Sequence, residues 1–381
     1  MATDLQGRLD SLAAASMLRQ IPAGHPDGAI ADFSTNDYLG LAADPRHQER
    51  FMAEAANRAV PFTSSASRLL ASRQEAYSSL ESTIDSFYPG RRSLLLNSGY
   101  HANTGILPAL PALFNRPLIL ADKLVHASII DGIVLSRADF RRFPHNDLDR
   151  LEKMLARAAE GPDRPDGIII VVESVYSMDG DRADIGRLID LRRHYRAKGV
   201  EVMIYVDEAH AIGVEGPSGL GLVAAAGERA GEVDVVVGTF GKALASAGAF
   251  ALTGADLRAW IVNRARSFIF STSLPPIVAR WSEHMFAAAA GADTARATLA
   301  TYAAMLDPHD RRYIYPAVTG SAESAIALSQ RLADELAIKV LPIRTPTVPP
   351  GTERLRISLS AALDRAAIVR LRQFLDTNLP Q

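Results

Sequence analysis

Short apolar runs, each ending on a polar residue, recur along this chain with longer amphipathic stretches between them. Residues 93–96 close on Asn97, 118–121 on Asp122, 167–172 on Glu173, 202–206 on Asp207 and 233–238 on Thr239. Continuous β-branched and aliphatic runs of this length predict strands buried on both faces. Between them, 45–59, 75–87 and 183–198 repeat their apolar positions at helical spacing, and 98–110 opens on Ser98 and Gly99 as a helix start. A further apolar run at 248–253 completes the series. Strands alternating with helices predict an α/β fold with a mostly parallel sheet. All the polar endings fall at carboxyl ends of strands, the edge where open α/β sheets bind ligands.

Beyond Thr253 the pattern changes. Pro275 and Pro276 precede a long helix at 277–290. A helix (323–336), a strand (338–341), a proline-rich loop (345–351), a strand (355–359) and a helix (365–375) then predict a small α+β unit. The expected organisation is an N-terminal helix and strand segment at 1–44, a large domain at 45–275 and a small C-terminal domain at 276–381. Within the first segment, 5–18 carries leucines at helical spacing and is expected to pack on a larger body.

Composition narrows the partners. A chain of 381 residues exceeds one ordinary core, and a net charge of −2 without a basic run speaks against nucleic acid. The absence of cysteine excludes disulfides, thiolate nucleophiles and cysteine-ligated zinc. No apolar run reaches the roughly 18 residues of a membrane span. The first ten residues show no basic start followed by an apolar stretch, so the expectation is a soluble, cytoplasmic protein.

Thr239 and Lys242 stand in a glycine-flanked turn after a buried strand, and Asp207 and His210 follow the preceding one. An Asp-Glu-Ala-His string also occurs in nucleotide-driven helicases, but these need a Gly-Lys-Ser/Thr phosphate loop that the chain lacks. A metal site on Asp207 and His210 has no third ligand at matching spacing, so no metal is expected. A lysine amine that condenses with an aldehyde, an aspartate that keeps a heteroaromatic nitrogen protonated and a histidine that donates to a ring oxygen together match pyridoxal phosphate.

Seven stretches in order, Asn36-Asp-Tyr-Leu-Gly40, Ser98-Gly-Tyr100, His126-Ala-Ser128, 173–180, Asp207-Glu-Ala-His210, Thr239-Phe-Gly-Lys242 and Arg354-Leu-Arg356, resemble the α-oxoamine synthases. The resemblance runs from about Phe33 to the carboxyl terminus. It implies the aspartate-aminotransferase-like fold (fold type I), pyridoxal 5′-phosphate as cofactor, and condensation of an amino acid with an acyl thioester with loss of carbon dioxide. It also implies a homodimer with sites at the interface.

Carried over residue by residue, Lys242 is the cofactor-bound lysine and base, Asp207 the pyridine-nitrogen partner, His210 the donor to the ring hydroxyl and His126 the ring-stacking residue. Ser98, Gly99, Tyr100 and Thr239 are the phosphate ligands, with Thr272 reaching the neighbouring subunit's phosphate. Ser177 stands near the ring hydroxyl, and Asn36 and Arg356 hold the amino-acid carboxylate, with Arg19 a weaker candidate.

Within the family, 345–356 and 270–276 are most similar to the biotin-pathway branch, which joins L-alanine to a pimeloyl thioester carried by coenzyme A or acyl carrier protein. The glycine-acetyl, serine-palmitoyl and glycine-succinyl branches, or a noncatalytic partner subunit, are the alternatives. Two departures from the pattern are Thr63-Ser-Ser-Ala66, where the family is glycine-rich, and Leu363, where it has histidine.

Overall fold

The computed structural model describes residues 4–14, 17–19, 21, 30–161 and 164–379. Their strands, in chain order, are β1 (Ala31–Asp32), β2 (Arg92–Leu96), β3 (Pro117–Asp122), β4 (Asp139–Phe143), β5 (Gly167–Glu173), β6 (Glu201–Asp207), β7 (Val235–Thr239), β8 (Ala249–Thr253), β9 (Ile314–Val318), β10 (Ile338–Lys339), β11 (Leu341–Ile343) and β12 (Arg354–Ser358). The chain forms two compact units, a larger one of residues 39–177 and 181–296 and a smaller one of residues 1–38, 178–180 and 297–381.

The larger unit is built on one seven-stranded sheet of order β2-β8-β7-β6-β5-β3-β4. β7, β6, β5, β3 and β4 pair in parallel, while β8 is antiparallel to both β7 and β2. Two reversals restore direction, so β2 points the same way as β7. The apolar runs are strands because every residue of β5, β7 and β8 is buried. Gly238 is required where β7 meets β8: its cross-strand partner is Phe250, and an added Cβ would come within 2.4 Å of that ring.

Strand β4 lay outside the expected series. It is an edge strand whose first four residues are exposed, so it needs no apolar run. The helix Pro276–Ala290 belongs to the larger unit, where it packs along the helix Glu75–Phe87. Ser79 and Thr83 donate to Glu283 Oε1 at 2.7 and 2.9 Å, and Phe87 meets Phe286 edge-on at 5.5 Å. Pro276 therefore opens a helix, its missing N–H costing nothing in the first turn, and the two units divide between Arg296 and Ala297.

In the smaller unit β11, β12 and β9 form an antiparallel sheet, and β1 pairs in parallel with β10. The helices Ala322–Leu336 and Arg365–Asn378 bury Leu328, Leu332, Leu371 and Phe374 there. The single expected strand at 338–341 is split between two sheets. The helix Leu5–Ala14 is shorter than expected and buries no residue, so the expected packing of its leucines is not observed: Leu5 is 64% exposed.

In the larger unit His145 is held between two carboxylates, with Nδ1 2.9 Å from Asp122 Oδ1 and Nε2 2.8 Å from Asp181 Oδ2, and it meets the Tyr176 ring edge-on at 4.4 Å. Burial disfavours its charge, but the hydrogen bonds and charges of Asp122 and Asp181 prevail and hold its pKa up at about 10. It thereby ties the end of β3 to the loop that follows β5.

Two outcomes are expected. Gly238→Ala should lower unfolding free energy by roughly 1–3 kcal/mol through overpacking against Phe250, read from urea denaturation. Because the pKa of His145 is raised on folding, its stabilisation is complete below the ordinary value of 6.5 and lost as pH rises through about 10. The melting-temperature gap between the native chain and His145→Gln should therefore shrink between these pH values. A gap that stays constant would show that the imidazolium contributes nothing.

Candidate active site

The directions of the strands bring the expected residues to one edge of the large sheet. β2, β3, β5, β6 and β7 all end there, so the loops after Leu96, Asp122, Glu173, Asp207 and Thr239 leave side by side. Among them lies a cavity of about 170 Å³ lined by Gly99, Tyr100, Asn103, His126, Ser128, Glu173, Asp207, Ala209, His210, Thr239 and Lys242.

Lys242 is carried on a tight turn between β7 and β8. Phe240 N donates to Gly248 O at 3.0 Å, Ser246 N to Phe240 O at 2.9 Å, and the Thr239 hydroxyl to Gly248 O at 3.0 Å. Trp281 clasps the turn from outside through Ala245 O. The Lys242 amine lies 2.7 Å from His210 Nε2.

Asp207 ends β6 almost fully buried, and its two oxygens are fixed separately. Oδ1 accepts from the Ala209 amide at 2.9 Å and Oδ2 from the Asn103 side chain at 2.8 Å. Asn103 is oriented in turn by the buried Tyr205 hydroxyl, which donates to its Oδ1 at 2.6 Å, and by Ser128 Oγ at 2.9 Å from its Nδ2.

Asn103 and Tyr205 were not among the expected residues. The available signal was polarity on buried surfaces: an amide within the helix turn Ala102 to Ile106, and a hydroxyl inside an apolar strand, both of which need partners.

His126 caps the helix Ala127–Ser136, with Nδ1 accepting from the Ser128 amide. Burial lowers its pKa; Asp207 opposes that and the positive Lys242 adds to it. Glu173 stands beside Asp207 on the neighbouring strand and accepts from the His126 amide. Its fully buried carboxyl is pushed well above the usual range by desolvation, reinforced by Asp207 and partly offset by Lys242.

At the opposite wall the helix Gly99–Ile106 begins. Ser98 Oγ accepts from His101 N, while among the described residues the amides of Gly99 and Tyr100 have no hydrogen-bond acceptor. A Cβ on Gly99 would meet nothing closer than 4.0 Å, so the backbone there is open to a ligand. Free amides at a helix start form an anion site.

Seven of the expected residues therefore meet in one cavity: Lys242, Asp207, His210, His126, Gly99, Tyr100 and Thr239. Three others of the larger unit lie outside its wall. Ser98 serves as a helix cap, Ser177 is half-buried just beyond Tyr176, and Thr272 is exposed, its carbonyl bound by Asn97 at 2.6 Å. The smaller unit brings Asn36 and Arg356 together. Arg356 Nη2 donates to Asn36 Oδ1 at 3.1 Å, and the Tyr38 hydroxyl donates to the same oxygen at 3.0 Å. Among the described residues, Arg19 reaches Thr347 at 3.4 Å. At the second departure, Leu363 takes part through its carbonyl, which accepts from the Tyr302 hydroxyl.

Residues 29–375 match the aminotransferase class I and II family model. A putative 8-amino-7-oxononanoate synthase from Pasteurella multocida is 41% identical, the likeness covering 95% of this chain and 96% of the relative. Among solved structures, a serine palmitoyltransferase from S. paucimobilis with PLP and myriocin bound has a TM-score of 0.85 at 26% identity, covering 98% of this chain and 96% of that one. An 8-amino-7-oxononanoate synthase from Francisella tularensis has a TM-score of 0.73 at 25% identity, covering 92% and 98%. Matched along nearly its whole length by both a family model and a close relative, the chain belongs to the aminotransferase class I and II family.

Proposed function

We propose that this chain is a pyridoxal-phosphate acyltransferase that condenses L-alanine with a pimeloyl thioester, releasing carbon dioxide and free thiol and giving 8-amino-7-oxononanoate. The observation that carries the reading is the Lys242 amine at 2.7 Å from His210, in one cavity with a rigidly held Asp207 and two unbonded helix amides. The donor set fits the cofactor: an amine for its aldehyde, a carboxylate for its pyridine nitrogen, an imidazole for its hydroxyl and free N–H groups for its phosphate. Bound there, pyridoxal phosphate supplies an electron sink for negative charge at the amino-acid Cα.

The chain's own residues do the rest. The Asp207 carboxylate, unable to turn because Ala209 and Asn103 hold both oxygens, keeps a proton on the ring nitrogen. Lys242 Nζ takes the Cα proton and later returns one, with His210 Nε2 setting its direction. His126, its Nδ1 engaged by Ser128, would stack on the cofactor ring. The Gly99 and Tyr100 amides, together with Thr239, take the phosphate, and Asn36 and Arg356 are assigned to the substrate carboxylate, a geometry suited to the guanidinium fork. Ser98 is assigned to the phosphate loop, Ser177 to the ring hydroxyl, and Thr272 to the second subunit's phosphate in a homodimer. No helix among the described residues is long and apolar enough to cross a membrane.

The choice of substrates rests on the 41% identity to the Pasteurella multocida relative. The higher TM-score to serine palmitoyltransferase favours a second reading, L-serine with a long-chain acyl thioester.

The purified chain should develop a visible absorbance band with pyridoxal phosphate, and Lys242→Ala should lack it; an identical band in the variant defeats the cofactor assignment. Thiol release measured over alanine, serine and glycine against pimeloyl, palmitoyl, acetyl and succinyl thioesters should be greatest for alanine with pimeloyl. A preference for serine with palmitoyl would transfer the assignment to the second reading. Asn103→Ala should keep the cofactor while lowering kcat by up to about a hundredfold, since Asp207 loses one of its two restraints.

A further inference from the structure

A second, larger cavity of about 730 Å³ lies in the larger unit and shares no lining residue with the pocket around Lys242. Its wall is mainly apolar, formed by Tyr88, Leu220, Val223, Val236, Leu252 and Leu257, and it also includes Arg91 and Glu208. That volume lies in the range of ligand sites.

Arg91 is the feature that apolar packing does not explain. It is 8% exposed, yet its side chain makes one long hydrogen bond, Nη2 to Ala230 O at 3.4 Å, and among the described residues no carboxylate forms an ion pair with it. Arg192 and Arg68, two other largely buried arginines of the larger unit, are paired with carboxylates: Arg192 with Asp234 at 2.8 Å and Arg68 with Glu81 at 3.0 Å. Burying a guanidinium without a counter-charge is costly.

Burial disfavours the Arg91 charge, and the nearby acids Asp234 and Glu208 offset that only in part. Asp234 is already held by Arg192 and by the Ile204 amide at 2.7 Å. Glu208 is fully buried, its Oε1 accepting from Val223 N at 3.0 Å, with Ser174 and the Leu222 amide also favouring its charged form. Desolvation pushes its pKa up to about 7, against the pull of the Val223 amide, so near neutrality much of it is the uncharged acid.

We propose that this cavity binds a small organic acid with one carboxylate, which pairs with the Arg91 guanidinium while an unbranched apolar body lies along Leu220, Val223, Val236 and Leu252. The guanidinium fork matches a planar carboxylate with two parallel hydrogen bonds. The exposed acids Glu228 and Asp256 in the wall add negative charge that disfavours a doubly charged phosphate ester. Glu208 directly follows Asp207, so an occupant touches the residue next to the one proposed to hold the cofactor nitrogen.

The test is calorimetric titration of the full chain with octanoate, octylamine and octyl phosphate. Octanoate should bind once per chain, and roughly tenfold or more tighter than the other two. Arg91→Met should remove that binding. Ala224→Trp, which fills the cavity and leaves Arg91 in place, should remove it as well and covers the case in which Arg91→Met fails to fold. Lys242→Ala should leave the affinity unchanged, which separates this site from the pocket used in the proposed reaction. Absent octanoate binding, equal binding of octylamine or octyl phosphate, or binding that survives Ala224→Trp would overturn the proposal.

Discussion

One buried carboxylate organises the centre of the larger unit. Asp207 sits at the end of a central strand, where an ionised oxygen without partners would be strongly disfavoured. Its needs reach outward in order: the Ala209 amide fixes the turn after β6, the Asn103 amide fixes the helix Gly99–Ile106, and Tyr205 and Ser128 fix Asn103. A helix, the strand beneath it and the start of the next helix are thus aligned by one anion. The same alignment leaves the amides of Gly99 and Tyr100 open in the same cavity.

Charge at this edge is unevenly distributed. Asp207 and Glu173 are adjacent on neighbouring strands, and two like charges in a buried site do not ionise together readily. Glu173 yields: its carboxyl is pushed upward by burial and by Asp207, while Asp207 keeps two hydrogen-bond donors. Lys242 is the cation among the groups lining that cavity, and both Glu173 and His126 respond to its charge. Burial, reinforced by Lys242 and opposed by Asp207, thereby disfavours the charged form of His126.

The sequence pattern shows the sheet well where strands are buried on both faces. Residues 167–173, 202–207 and 235–239 have no competing reading, because few alternatives accommodate an uninterrupted β-branched run. It is silent where burial is one-sided or absent. β4 contains Asp139, Arg141 and Arg142, and β9 contains Pro316, tolerated because β9 is an edge strand. The direction of β8 is equally hidden, since a buried strand has the same composition whichever way it runs.

The meeting of Lys242, Asp207 and His210 in one cavity was legible because motifs carried all three. Asn103 was hidden because its role depends on Tyr205 and Ser128, which are remote in sequence and adjacent only after folding. Ser177 lies outside the cavity wall although a motif carries it, while Thr272, also outside it, is assigned to the neighbouring subunit's phosphate.

The departure at 63–66 shows how a backbone shape can outlast the residues that favour it. Ser65 occupies a positive φ of 50°, a conformation that glycine adopts freely and a side chain resists. The turn is retained by other means: Thr63 Oγ1 accepts from the Ser65 amide at 3.0 Å, Ser64 Oγ lies 2.8 Å from Ser273 Oγ, and Ser273 N donates to Ala66 O at 3.0 Å. Hydroxyls do locally what absent side chains do in a glycine-rich segment, and they stiffen it. They also place a polar surface at this turn in place of open backbone. Any molecule lying against residues 63–66 would therefore meet hydroxyls held in place by these bonds.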